Sequence, residues 1–463
     1  MTKPTLQSRG GVAIEAAGVD ELRRSFDGAI ILPTEPAYDT ARRIWNASID
    51  RHPGLIARCS GVADVVHAVK FARAHDIPVA IRGGGHNVGG RASCDNGMVI
   101  DLSGMRAVLV DPERRTALVQ AGATLGDVDR ETHAYGLAVP LGVVSRTGVA
   151  GLTLGGGVGW LVRKYGLTCD NVLSIQLVTA DGDILTANGI SNPEIFWALR
   201  GGGGNFGVVT SFLYRAHPIS TVTGGLIVHA RDQAAAVIRH YRDVMTTAPD
   251  ELTAYAGLIH TPDGMPAVAV IACHCGGRAQ AERDLQPLRS FGSPLLDAIQ
   301  EMPLPAMQKL LDDAFPDGTF NYWKSTFVDE LSDTVIDTLI EHAGRLTASP
   351  LSDVVIELYS GAASRVGPGD TAFAQRRGQF DIGIMAQWTD PADSDRHVAW
   401  ARGLFDALKP HSSGFLLNFL DEEDADRTVR AAFGDNYPRL REVKRQCDPT
   451  NFFRINQNIQ PAA

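Results

Sequence analysis

The stretch Val79–Gly90, VAIRGGGHNVGG, sets three consecutive glycines and a histidine directly behind a short β-type run. Glycine reaches positive φ and lets backbone approach a ligand closely, so glycines after a strand aim exposed amides at an anion. The histidine is the odd member, because a cradle of amides needs no imidazole. Upstream, the strand-like Leu55–Cys59 leads into residues 61–76, where Val62, Val65, Val66 and Val69 recur at helical spacing, and Pro78–Ile81 reads as the next strand. This β-α-β start suggests a nucleotide-type unit. Downstream, GMVIDL, AVLVDPERRTALVQAGA and VLSIQLVTADGDILTA read as hairpin segments, with turns at Asp111-Pro112 and Asp181-Gly182. The mixture predicts an α+β fold.

Glycine gathers in three clusters, Gly83–Gly90, Gly148–Gly159 and Gly201–Gly207. The third matches a dinucleotide fingerprint in form, but that fingerprint needs a strand before it and a helix after it. Here the helical PEIFWALR precedes and the strand-like GVVTSFLY follows, so the Rossmann reading and NAD(P) fall together. The second cluster reads as a loop lying against a flat ligand, since each interior glycine costs a helix about 1 kcal/mol relative to alanine. No G-K-[ST] follows any cluster, which removes a Walker site. Three separated clusters imply one ligand of a dinucleotide's extent.

The 463 residues, 44% of them hydrophobic, can fill more than one core, since single cores stop growing at roughly 250–300 residues. A change from glycine-rich sequence to long alternating strands near His217-Pro218 divides the chain into 1–217, 218–412 and a segment, 413–463, that returns to the first domain. A net charge of -10 without a Lys/Arg-rich run argues against nucleic acid. No signal-type apolar region and no window of about 18 apolar residues occur, so the expectation is a cytoplasmic protein with no membrane partner. Six sparse cysteines read as reduced. Cys273-His274-Cys275 could suggest a zinc hydrolase, but it ends the strand-like AVAVIACHCGG and no second ligand pair follows, so no metal is expected.

The pieces PVAIRGGGHN, GVVSRTGVAGLTLGGGVGWLVRKYGLTCDNV, FWALRGGGGNFGVVTSF and DPTNFFRINQNI together closely resemble the berberine-bridge-enzyme-like FAD-linked oxidases of the vanillyl-alcohol-oxidase (PCMH-type) fold, in their bacterial, 6-hydroxy-D-nicotine-oxidase-like branch. The resemblance implies a PCMH-type FAD-binding domain and a substrate domain made of an antiparallel sheet covered by helices. It implies a covalent bond from His86 to the flavin, with Arg82, Gly83, Gly84, Gly85 and Asn87 around the pyrophosphate. Arg146, Thr147, Gly148, Gly151, Leu152, Gly155 and Gly156 from the second cluster, Gly207 and Val209 from the third, and Asn456 and Asn458 beside Gln457 complete the expected cofactor contacts. Relatives with a second, cysteinyl link carry that cysteine where this chain has Val144, and Cys169 lies beyond the cluster, so a single link is expected.

Flavin chemistry requires a base for the substrate's proton. In Val354–Tyr359, alternation puts Val354, Ile356 and Leu358 on one apolar face and Val355, Glu357 and Tyr359 on the other, making Glu357 the first candidate. Tyr359, Tyr255 and Lys324, the last sharing a face with Tyr322, are further pocket candidates, as are Asp381 and Gln379. Alcohol-oxidising relatives carry a tyrosine base in a stretch that here reads Leu416-Leu417-Asn418-Phe419. Its absence weakens sugar or alcohol oxidation and opens amine oxidation or an oxidative cyclisation or hydroxylation of secondary metabolism. Arg146 stands where close relatives tend to have histidine, and Thr147 and Leu152 are where a gate for oxygen would sit. The expected partners are a small or medium organic substrate and O2, giving H2O2. A dehydrogenase and a non-redox flavin-binding protein are the alternatives, and the sequence does not indicate an oligomeric state.

Overall fold

The computed structural model describes residues 5–344, 349–420 and 426–463. Leu55–Arg58 and Val79–Arg82 both run parallel to Met98–Asp101, which lies between them, and Ala29–Ile31 closes this four-stranded sheet antiparallel to Leu55–Arg58. The crossover helix Val62–Ala74 buries Val65, Ala68, Val69 and Ala72 at i, i+3, i+4, i+7 spacing, as its valine pattern predicts. The hairpins at Asp111-Pro112 and Asp181-Gly182 form and join Val208–Arg215 in a five-stranded antiparallel sheet, whereas GMVIDL supplies the central parallel strand Met98–Asp101 instead of a hairpin.

A nine-stranded antiparallel sheet makes up the other half. Helices Ala234–Thr247, Arg278–Arg289, Asp333–Ala343 and Ser394–Leu408 cover one of its faces, packing Ile238, Leu285, Leu339 and Leu404 against Val354, Ile356 and Leu358. Each such side chain contributes about 1.5–3 kcal/mol by leaving water. The apolar face read from Val354–Leu358 is therefore the helix-covered face, and Glu357 looks the other way. The two halves keep separate cores. One gathers side chains from Leu6 to Ala216 and again from Leu417 to Ile459, joined by Ala372; the other runs from Ile227 to Leu408.

The C-terminal return is held by a buried ion pair. Lys444 Nζ donates to Asp448 Oδ2 (2.7 Å), to the carbonyl of Asn205 in the third glycine cluster (2.7 Å) and to that of Phe453 (2.8 Å). Asp448 in turn accepts from the amides of Phe452 and Phe453. A charge taken from water needs this many partners, and the result fixes Phe453–Gln457 beside the glycines.

The second glycine cluster departs from the loop expected of it. Val149–Leu154 is a helix of one and a half turns before the loop at Gly155. The cost of Gly151 is offset because Val149, Ala150, Thr153 and Leu154 are buried, and Thr153 Oγ1 bonds both the Val149 carbonyl and the Tyr214 hydroxyl at 2.7 Å.

Candidate active site

The three glycine clusters, the C-terminal segment and the uncovered face of the large sheet converge on one cleft, with about 1810 Å³ of empty space including its mouth. Gly83–Asn87, Thr147, Gly148, Gly151, Leu152, Gly155, Gly207, Val209 and Asn456 line it, as does Glu357. The glycines serve two purposes. A Cβ on Gly84 would lie 2.5 Å from Gly148 Cα, and one on Gly155 would lie 1.7 Å from Asn418 Oδ1, so these glycines let chain pack on chain. At Gly151 and Gly204 a Cβ would meet nothing within 4 Å and would project into the cleft. Among the described residues no neighbour accounts for their bareness, whereas a large flat group lying against them would.

The polar atoms fit such a group as well. His86 is half-buried at the wall, with its Nε2 enclosed and without a partner. Burial pushes its pKa down to about 4, so the ring is neutral and keeps a lone pair. Asn456 donates to the carbonyls of Gly204 (3.1 Å) and Phe453 (3.2 Å), leaving its enclosed Oδ1 without a partner. A dinucleotide with a heterocyclic ring offers what this cleft lacks. The corresponding test is Gly151→Leu: the apoprotein should fold at least as well, since a helix-interior glycine is replaced, while FAD recovered per chain falls severalfold. Full FAD occupancy in that variant would remove the cofactor from this wall.

Arg82, Arg146, Gly156 and Asn458 are not among the residues that line the cleft. Arg82 is buried under it, donating to Asp101 Oδ2 (2.8 Å) and to the Ala41 carbonyl (2.7 Å). Its charge is used to tie the parallel strands to the helical turn Tyr38–Arg42. Arg146 turns to the rim, where it donates to the Asp312 carbonyl (2.6 Å). Gly156 has φ +110°, and a Cβ there would lie 2.6 Å from the Phe373 ring. Asn458 keeps an enclosed Oδ1 outside the lining.

Glu357 is 7% exposed, opposite Tyr255 on one neighbouring strand and Asp381 on the other. Burial first, and the Asp381 carboxyl second, push its pKa up to about 8, and its Oε2 has no partner. Asp381 is also raised by burial, offset in part by the Ser325 hydroxyl donating at 2.5 Å. Tyr255 and Tyr359 share this face but not the cleft lining. Tyr255 stacks on Trp160 and Tyr359 packs edge-on to Phe327, and burial holds both phenols well above their usual pKa. Lys324 is on the opposite, helix-covered face, 5.2 Å from the Tyr322 ring and 5.8 Å from that of Phe405. Lys324 is thereby corrected from a pocket residue to a packing one: its long stem covers apolar surface.

The wall around Glu357 is aromatic and apolar: Phe315, Trp323, Met385, Phe419 and Val144. Trp323 Nε1 is enclosed without an acceptor. The pairing of Trp323 with Met385 across two strands could have identified this face, had the register of Asp381 been known. Cys273 and Cys275 pack with Tyr255 and Trp160, while His274 on the other face bonds Asp284 at 2.9 Å. Among the described residues, no three His, Cys, Asp or Glu side chains are placed to hold a metal, and no helix is long and apolar enough to cross a membrane.

Comparison with known proteins shows the family. Residues 53–188 match the FAD binding domain family, and residues 417–460 match the berberine and berberine-like family. An uncharacterised FAD-linked oxidoreductase of Bacillus subtilis is 34% identical, over 95% of this chain and 98% of its own. The chain belongs to the berberine-like FAD-linked oxidoreductases. (R)-6-hydroxynicotine oxidase of Paenarthrobacter nicotinovorans is 32% identical over 94% of this chain and 97% of its own. The crystal structure of 6-hydroxy-D-nicotine oxidase from Arthrobacter nicotinovorans superposes with a TM-score of 0.87 at 31% identity, covering 95% of this chain and 99% of that one. As a berberine-like oxidoreductase, the chain is an FAD-linked enzyme.

Proposed function

We propose that this protein is an oxidase that carries FAD through one bond to His86, oxidises the carbon beside an amine nitrogen of a small or medium, mostly apolar substrate, and passes the electrons to O2 as H2O2. When bound, FAD supplies a two-electron acceptor at N5. Glu357 takes the proton that the substrate's nitrogen must lose, and the aromatic wall excludes water and holds the ring system. Trp323 Nε1 offers a donor to an acceptor on the substrate. The observation that carries the reading is Glu357: among the described residues it is the one carboxylate that lines the cleft, its Oε2 is partnerless in an apolar wall, and no described tyrosine lines the cleft. A protonated amine is the partner such a carboxyl lacks. The hydroxynicotine named for one relative is an amine, which supports the same class. With Val144 at the place of the cysteinyl link and Cys169 buried beside Arg376, the flavin has one attachment. The six free cysteines support a cytoplasmic setting.

The test is anaerobic mixing with panels of secondary and tertiary aromatic amines, sugars and primary alcohols, followed by admission of air. Bleaching of the flavin by amines, with stoichiometric peroxide on reoxidation, is expected. Reduction by sugars alone would overturn the substrate class, and reduction without peroxide would make the enzyme a dehydrogenase.

A further inference from the structure

His86 does not stand alone at the cleft wall. Its imidazole lies flat on the Trp45 indole, with ring centroids 4.2 Å apart and planes 14° from parallel, close to the offset stacking that aromatic pairs favour. Trp45 does not line the cleft and is 5% exposed. It belongs to neither half alone. Its amide donates to the Gly85 carbonyl (3.2 Å), beside the histidine, while its indole Nε1 donates to the Phe315 carbonyl (3.2 Å) and its own carbonyl accepts from Gly318 (3.3 Å), both in the other half. The next residue repeats the bridge: Asn46 Nδ2 donates to the carbonyls of Val88 (2.8 Å) and Asn321 (2.9 Å), and Asn46 Oδ1 accepts from the Asn321 amide (3.0 Å). Trp323 meets Trp45 edge-on, with ring centroids 5.2 Å apart.

We propose that Trp45 is the positioning residue for flavin attachment: anchored by the Phe315 carbonyl, its indole holds the His86 ring in the orientation in which the bond to the flavin forms. The inference rests on the reading that His86 carries the flavin. In the attachment one nitrogen–carbon bond forms, one imidazole N–H and one C–H of the flavin's 8α-methyl group break, and both hydrogens with two electrons pass to the flavin and on to O2, giving H2O2. Such a step needs the ring nitrogen aimed at one carbon, and misplacement by about 1 Å costs on the order of 100-fold. His86 follows three glycines that allow it several orientations; its ring bonds its own backbone, which moves with those glycines, and its Nε2 has no hydrogen bond to choose among them. The stack on Trp45 makes that choice, and the substrate half is what holds Trp45 in place.

The experiment compares full-length wild type, Trp45→Leu, Trp45→Phe and Asn46→Ala, each purified with its flavin. Total FAD per chain is read by absorbance, the covalent fraction by acid precipitation and intact mass, and folding by thermal melting. Trp45→Leu keeps apolar volume without a ring; total FAD should stay near one per chain while the covalent fraction falls at least tenfold. Trp45→Phe should restore most of it, and Asn46→Ala, which loosens the bridge without touching the ring, should lose less than Trp45→Leu. A wild-type covalent fraction retained in Trp45→Leu overturns this inference alone. Equal losses in Trp45→Leu and Asn46→Ala overturn it in favour of general docking. Wild type without covalent flavin overturns the reading of His86 and the inference with it.

Discussion

Replacing His86 by alanine is expected to leave a yellow, folded protein that loses all its colour to the supernatant on acid precipitation, whereas wild type keeps its colour in the pellet. The rest of the cleft is untouched by the change: the amides of Gly83–Gly85, the bare wall at Gly151 and Gly204, and Asn456 are set by backbone and by other side chains. FAD therefore still binds, but as a ligand in exchange with solution. Stability then follows mass action, rising by RT ln(1 + [L]/Kd), about 2.7 kcal/mol at a hundredfold excess over Kd. The melting temperature of His86→Ala should climb with added FAD, while that of wild type, whose cofactor cannot leave, should not. Colour retained in the denatured pellet of the variant would place the bond on another residue. Peptide mapping of the wild-type fragment that contains His86 gives the independent check.

Much of this site could be read without a structure because its signals are local. A strand followed by three glycines and a histidine leads the eye to Gly83–His86, and alternation alone separates Glu357 from Val354, Ile356 and Leu358. What the sequence does not show depends in each case on a partner far away in the chain. Arg82 looks like a phosphate ligand from its neighbours, but Asp101 takes it in a buried pair. Gly156 is bare because of the Phe373 ring and Gly84 because of Gly148. Lys324 shares a face with Tyr322, as its spacing predicts, but that face lies under helix Ser394–Leu408, and the cleft face carries Trp323. The aromatic wall went unseen since Phe315, Trp323, Met385 and Phe419 come from four separate segments. The helix at Val149–Leu154 was missed because burial outweighed the propensity of one glycine.

Glu357→Gln should slow reduction of the bound flavin by about 10²–10⁴-fold, the range a positioned general base contributes, with substrate binding reduced far less. The two side chains are nearly isosteric, so the apolar wall is kept and only the proton acceptor is lost. The pH profile carries the sharper signature. With its pKa raised to about 8, Glu357 is mostly protonated at neutral pH in the substrate-free enzyme, so wild-type reduction should rise with pH and level off above about 8. The glutamine variant should be slow and flat across the same range. Stability should move the opposite way. An exposed glutamate in the unfolded chain titrates near 4.3, so between there and about 8 the folded protein retains a proton that the unfolded chain has given up. Stability from this group is complete at pH 4 and is lost progressively as pH rises through that window. Glutamine carries no such proton, so Glu357→Gln should melt higher than wild type at pH 8–9 and at about the same temperature at pH 4. A variant that reduces its flavin at the wild-type rate would move the base elsewhere. A variant that is slow but no more stable at high pH would mean that Glu357 is already ionised in the folded protein, paired with a charge that this cleft does not show.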